Sequence, residues 1–360
     1  MSEAVASGTM GCADILASCA PDAGLSAMLS PFAAWGSLAE RLAANPFLMA
    51  PMAGVSDAAY RLMARAGGAA LAYSEMVSVA GIHYGGDKTW ELVLPDAAEP
   101  DIAVQLFGSD PAQFREAAEA VCVRLGARLA LIDINMACPV PKVTRKGEGS
   151  ALLDEPDRAA AIVRACREGV AAIDLGVPVT VKIRSARRTG EPEVAADFAR
   201  AMEDAGAAAV AVHGRTASQL YRGEADWGVV ERVSGAVGIP VIGSGDVRGA
   251  TEAVHMLREC GCAAVMVARG TYGNPWCFGD ARELLEGREA PKHDVAERLR
   301  AFCCHVRLLE ATGAHMARAR SLAGWYFRGL PGAAALRDEA MRARTAGEFL
   351  TLAEQVLESY

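Results

Sequence analysis

No lysine or arginine occurs among the first 40 residues of this 360-residue chain. A secretory signal needs a basic start and an uninterrupted apolar region, and a transit peptide needs arginines. The opening segment offers neither, and Asp14 and Asp22 interrupt it. Long hydrophobic runs are missing too, so no stretch is suited to spanning a bilayer. The ten cysteines lack C-x-x-C spacing, and Cys260-x-Cys262 and Cys303-Cys304 sit too close together for an ordinary zinc site. No metal is therefore expected. Nor do these cysteines form the framework of a small disulfide-rich domain, which points to a reducing, cytoplasmic setting. Positive charge is in deficit: 36 Lys and Arg against 44 Asp and Glu give a net charge of -8. That balance excludes a uniformly basic nucleic-acid-binding surface but leaves room for a local basic face.

What is abundant is apolar surface, at 52% of residues. From Asn45 onward a β-like apolar run, a turn and a helix-like segment alternate. The runs are Phe47–Met52, Ala70–Met76, Ile102–Phe107, Leu129–Met136, Val179–Arg184, Ala208–His213, Pro240–Asp246 and Ala263–Arg269. Between them, Asp110-Pro111 opens a helix with Phe114, Ala117, Ala118, Val121 and Leu125 on one face, and Glu155-Pro156 opens the next. Eight such units with continuously apolar strands predict an α/β fold, a parallel (β/α)8 TIM barrel whose strands are buried on both sides. A doubly wound open sheet shares this periodicity. After Gly287, Glu289-Ala-Pro-Lys-His reads as a linker, and the rest is charged and helical. The expected organisation is a poorly ordered extension over 1–44, a barrel over 45–288 and a small all-α domain over 294–360.

The chemistry gathers in Asp133–Ser150, D-I-N-M-A-C-P-V-P-K-V-T-R-K-G-E-G-S. An apolar strand ends here in an amide, Asn135, and a thiol, Cys138. Pro139 stops the strand, and Lys142, Arg145 and Lys146 follow as a grip for an anion. In a barrel, working residues sit where strands end. Those positions hold Pro51, Met52, Ala53, Gln105, Asn135, Cys138, Lys182 and His213, then Ser244, Gly245 and Asp246, then Ala268 and Arg269. A lysine inside an apolar strand is hard to assign to packing, since an unpaired one is almost never fully buried. Glycine turns after the last two strands, with Arg269 beside them, suit a phosphate.

Read singly, each has a structural alternative: His213 as a satisfied core group, Cys138 as a small buried hydrophobe, the scattered arginines as a solvated face. Together at one end they favour a site.

P-M-A-G-V-S-D, S-E-M, N-M-A-C-P with K-V-T-R-K, V-K-I-R, H-G-R-T and S-G-D-V resemble the tRNA-dihydrouridine synthases, in particular their bacterial B-type branch. The resemblance runs from about Asn45 to the C-terminus. It implies an FMN barrel enzyme, with a helical tRNA-binding domain, that reduces the C5=C6 bond of uridine in tRNA with electrons from NADPH. By position, Pro51, Met52, Ala53, Gln105, Lys182, His213, Ser244, Gly245, Asp246, Ala268 and Arg269 would hold the flavin. Cys138 would be the general acid, on a loop able to close over a flipped-out base. Asn135 would orient that base, while Lys142, Arg145, Lys146, Arg184 and Arg215 would bind tRNA. Arg318, Arg320 and Arg328 around Trp325 would add contacts from the helical domain, and the chain would act as a monomer. Ala137, Ser244 and Ala268 stand where the family usually has Gly, Asn and Gly, and Ser321-Leu322 stands where it has a Lys-His pair. Two rival functions are a small-molecule pyrimidine reductase of the dihydroorotate dehydrogenase kind, and a non-catalytic RNA-binding protein on a decayed barrel.

Overall fold

The computed structural model describes residues 10–32 and 36–358. Its strands are β1 (Phe47–Met49), β2 (Val77–Ser78), β3 (Ile102–Phe107), β4 (Leu129–Met136), β5 (Val179–Arg184), β6 (Val210–His213), β7 (Val241–Ser244) and β8 (Ala264–Val267). All pair in parallel in the order β1-β8-β7-β6-β5-β4-β3-β2. The ring closes through residues 70–74. Ala70 and Met49 exchange ladder bonds with Phe47 and Leu71 at 2.9 Å, and Ser74 N donates to Ala103 O at 2.8 Å on the other side. The run expected at Ala70–Met76 is thus a strand of isolated bridges, Met49 to Ala72 and Tyr73 to Ala103, before the short β2. A closed cylinder, with no free edge, excludes the doubly wound alternative.

Helices cover the outside because each presents one apolar face. Asp110 caps the helix Pro111–Leu125 by accepting from Ala112 N at 2.9 Å, Pro111 fills its first position, and Phe114, Ala117, Ala118, Val121, Cys122 and Leu125 are buried. The helix Pro156–Ile173 starts on a proline in the same way and packs beside it.

The chain before β1 departs from expectation. Residues 1–9 and 33–35 lie outside the described residues, but the remainder is built into the fold. The helix Cys12–Cys19 buries Cys12, Ile15 and Leu16 and packs on the C-terminal helix Val295–Ala311. Trp276 Nε1 donates to Ala23 O at 2.8 Å. Phe32, Leu38 and Leu42 join Leu48, Leu71, Tyr73, Leu131 and Ile242 in one apolar cluster, plugging the cylinder. The Ala-Ser-Gly composition hid widely spaced leucines and phenylalanine that find their partners only in three dimensions.

Beyond residue 294 the described chain is helical: Val295–Ala311, Arg318–Tyr326, Ala333–Arg342 and Ala346–Leu357. These helices dock on the barrel. Arg318 pairs with Asp57 at 2.8 Å and with Glu75 at 3.2 Å, and Trp325 stacks on Tyr272 at 4.0 Å and 12°.

Candidate active site

Strand register decides which side chains share a rim. Gln105 lies opposite Asp133, Asn135 opposite Lys182, Arg184 opposite His213, and His213 opposite Ser244. Cys138 follows two residues after β4 ends, so thiol, amide, ammonium and imidazole gather at the C-terminal end of the cylinder. Pro51, Met52 and Ala53 leave β1 at the same end, with Met52 buried and Ala53 exposed.

A hydrogen-bonded chain shapes the Cys138 loop. Thr180 Oγ1 donates to Asp133 Oδ1 at 2.7 Å, and Gln105 Nε2 donates to Asp133 Oδ2 at 2.7 Å. Asn135 Nδ2 then donates to Gln105 Oε1 at 2.8 Å. Asn135 Oδ1 accepts from the amides of Cys138 at 2.8 Å and Ala137 at 3.1 Å. Asn135 is engaged at both ends of its side chain, so it positions the Cys138 backbone where a contact to the target base was expected. Gln105 is likewise turned to Asp133 and Asn135. Asp133 and Thr180 were not among the expected site residues; the only sequence signal was two polar side chains inside otherwise apolar strands.

The loop is also clamped from its far side. Cys138 O accepts from Ser150 N at 3.0 Å. Gly149 sits at φ 61, and a Cβ there would lie 2.8 Å from Cys138 O. These contacts hold the Cys138 loop in the conformation seen here. Burial pushes the half-buried Cys138 thiol up from its ordinary value, outweighing the Val140 amide and the Arg184 charge that favour the thiolate. A protonated thiol is what a proton donor at neutral pH requires.

Lys182 is 7% exposed, and its side chain makes no hydrogen bond or ion pair with the described residues. Burial, then the Arg184 charge, lower its pKa to about 8, with Asp133 opposing. His213 is held neutral by burial first, and then by Lys182, Arg184, Arg215 and Arg269 around it.

Two expected tRNA contacts are otherwise occupied. Arg184 is buried, and its Nε donates to Ala137 O at 2.9 Å while Nη1 donates to Thr216 O at 2.9 Å and Leu220 O at 3.1 Å. Arg215, 2% exposed, pairs with Asp246 at 2.7 Å and donates to the carbonyls of Gly223 and Arg222. Neither guanidinium is presented to an incoming phosphate; both brace the rim. Arg318 is similarly spent on Asp57 and Glu75. By contrast, Lys142, Arg145 and Lys146 are exposed beside Cys138.

Asp246 carries a negative charge and organises cations in place of touching a phosphate. It accepts from Arg215 and from Ala225 N at 2.8 Å, and meets Arg269 at 3.3 Å. Arg269 is about half exposed and lies over the Tyr221 ring at 4.8 Å. The turns beside it leave no room for a side chain. At Gly245, φ 112, a Cβ would meet His213 Cδ2 at 2.8 Å, and at Gly270 it would meet Val247 O at 2.5 Å. Ser244 is buried next to them, and Ala268 leads into the short turn Arg269–Thr271. A buried lysine side chain lacking a partner among the described residues, a neutral imidazole and a side-chain-free turn beside a half-exposed guanidinium fit a planar anionic ring with a phosphate tail. Among the described residues there is no His, Cys, Asp and Glu group able to hold a metal.

Among solved structures, an old yellow enzyme homologue from Zymomonas mobilis is similar at a TM-score of 0.48 and 15% identity, over 71% of this chain and 92% of that one. The family model described as dihydrouridine synthase matches residues 48–360. A probable tRNA-dihydrouridine synthase 1 of Synechocystis is 39% identical over 86% of each chain. The tRNA-dihydrouridine synthase B of Xanthomonas axonopodis pv. citri is 37% identical over 85% of this chain and 90% of its own, and that of Escherichia coli K12 is 38% identical over 79% and 87%. A matching family model over this span, with relatives this similar along most of both chains, leaves one conclusion: the chain belongs to the dihydrouridine synthase family.

Proposed function

We propose that the protein reduces uridine in tRNA to 5,6-dihydrouridine, using FMN as its flavin and NADPH as the electron source. The observation that carries this reading is the pairing, on one rim, of a thiol kept protonated by burial with a buried ammonium that has no protein partner among the described residues. A reduced flavin bound there would supply the hydride that C6 of the uracil gains. Cys138 supplies the proton that C5 must gain, and the Asn135 and Ser150 bonds hold its backbone in place for that transfer. Lys182 would stabilise negative charge on a bound ring, in buried surroundings that strengthen the attraction. Arg269, with the Gly245 and Gly270 turns, would take the phosphate end; Pro51, Met52, Ala53 and Ser244 would line the ring and its chain.

A stacked uridine must be flipped out to reach this rim, at a cost of a few kcal/mol. Phosphate contacts offset that cost, and Lys142, Arg145 and Lys146 are free to make them. A reductase of free pyrimidines has no use for three exposed cations beside the thiol, nor for an appended helical domain. The test is incubation with unmodified tRNA and NADPH followed by nucleoside analysis. Wild type forms dihydrouridine, and Cys138→Ala loses about 10²- to 10⁴-fold in rate, the usual worth of a general acid, while still binding tRNA. Full activity in the alanine variant would remove Cys138 from this role.

A further inference from the structure

The helix Arg318–Tyr326 lies across the two segments read above as holding the ends of the flavin. At its first residue, Arg318 Nη1 donates to Asp57 Oδ2 at 2.8 Å and reaches Glu75 Oε1 at 3.3 Å, while Nη2 donates to the same Glu75 oxygen at 3.2 Å. The other Glu75 oxygen accepts from the Gly54 amide at 2.6 Å. Gly54 ends the P-M-A-G turn at φ 76. Two helical turns after Arg318, Trp325 stacks on Tyr272, the residue that follows the Arg269–Thr271 turn. Gly273 sits so close to the helix that a Cβ there would meet the Trp325 carbonyl oxygen at 2.8 Å. The neighbours of Glu75 belong to the rim as well: Ser74 Oγ accepts from Gln105 N at 3.0 Å, and Asn135 Nδ2 lies 3.8 Å from Met76 Sδ.

We propose that Arg318 is a positioning residue for the flavin end of the site: by fixing Glu75 it sets the Gly54 amide and the turn over residues 51–53, so the helical domain completes the rim that holds the cofactor. This deepens the proposed function and rests on its reading of Pro51, Met52 and Ala53 as flavin-lining. Asp57 and Glu75 are mostly buried and share one guanidinium nitrogen. Arg61 faces both carboxylates from the barrel side, but its guanidinium is bound to Glu99 at 2.7 Å and to Ser56 O at 3.0 Å. Burial pushes Asp57 up, and the Tyr60 amide and Arg318 oppose that. With Arg318 gone, two like charges confront each other across the space it filled. One then takes a proton or swings away, and Glu75 loses its hold on Gly54.

Three readouts on the full chain test this. Hydrogen exchange follows the turn with no flavin present, fluorescence titration with FMN follows the cofactor, and filter binding at several salt concentrations follows tRNA. Arg318→Met speeds exchange over residues 47–57 and weakens FMN binding by about tenfold or more, the worth of one charge-assisted hydrogen bond. The salt dependence of tRNA binding stays as in wild type. Arg318→Lys, which keeps the charge, recovers most of both losses. In a Glu75→Gln background, whose amide oxygen still accepts from Gly54, Arg318→Met weakens FMN binding by less than about threefold, because the two residues act through one contact. Unchanged exchange over 47–57 overturns the assignment, and so does an FMN loss that Glu75→Gln leaves at full size. A flatter salt slope for tRNA with FMN binding intact makes Arg318 a phosphate contact and overturns it too, as does faster exchange spread over the helix Val295–Ala311. If wild type itself binds no FMN, the proposed function fails on its own account, and the exchange comparison still decides whether Arg318 sets the turn.

Discussion

Replacing Lys182 by methionine should make the flavin-free protein more stable while disabling it. The side chain is largely buried, its ammonium makes no hydrogen bond with the described residues, and its pKa falls from an ordinary 10.5 to about 8. At about 1.4 kcal/mol per pKa unit, holding that charge inside the barrel costs roughly 3 kcal/mol of folding stability. Because the folded pKa is the depressed one, the cost is fully present below pH 8. Between pH 8 and 10.5 the unfolded chain binds more protons than the folded one, so wild-type stability rises with pH across that window. Above 10.5 the cost is gone. Methionine has nearly the same stem and no charge, so the variant gains about 3 kcal/mol at pH 7, an upper bound that shrinks toward zero by pH 10.5. Urea unfolding of both flavin-free proteins across pH 7 to 10.5 measures it; taking the difference cancels the other titrating groups. Dihydrouridine formation should fall steeply in the same variant, the exchange of stability for function usual at active sites. A Lys182→Met protein less stable than wild type at pH 7, or a gain indifferent to pH, refutes the reasoning.

Three further outcomes follow from the geometry of the rim. Asp133→Leu leaves Gln105 Nε2 and Thr180 Oγ1 without their acceptor, at about 1–3 kcal/mol for each buried donor; Asp133→Asn keeps one acceptor and lets the Thr180 hydroxyl turn to accept, so it loses under about 1 kcal/mol. Equal losses in urea unfolding would mean the carboxylate does not organise the network. Alanine at Lys142, Arg145 and Lys146 together should weaken tRNA binding and flatten its salt dependence by roughly 0.7–0.9 in log–log slope for each phosphate no longer neutralised, as read by filter binding at several salt concentrations. Gly149→Ala puts a methyl 2.8 Å from Cys138 O at a positive φ, costing about 1–3 kcal/mol and lowering kcat with little change in KM for tRNA; an unchanged kcat would show that the Cys138 backbone tolerates displacement.

Local order along the chain determined much of this protein by itself. Apolar runs at regular spacing specified a parallel α/β sheet, because a strand covered on both faces has to be apolar throughout. Closure into a barrel over a doubly wound sheet was decided by the bridges at residues 70–74. A polar side chain in such a run stands out, which is how Gln105 and Lys182 were legible, and the N-M-A-C-P stretch that carries Cys138, with its basic tail, was distinctive enough to indicate the family. Tertiary structure alone decided how each polar group is used. An arginine reads the same in sequence whether it meets a phosphate or a carbonyl; Arg184 and Arg215 became braces because the 216–223 loop and Asp246 were folded over them. Asn135 gave its donor and its acceptor to Gln105 and the Cys138 amide for the same reason. Nor could composition foretell that the opening segment, without a Lys or Arg in its first 40 residues, would plug the cylinder. Periodicity is a property of neighbours in the chain, whereas hydrogen-bond partners come from residues tens to hundreds of positions apart.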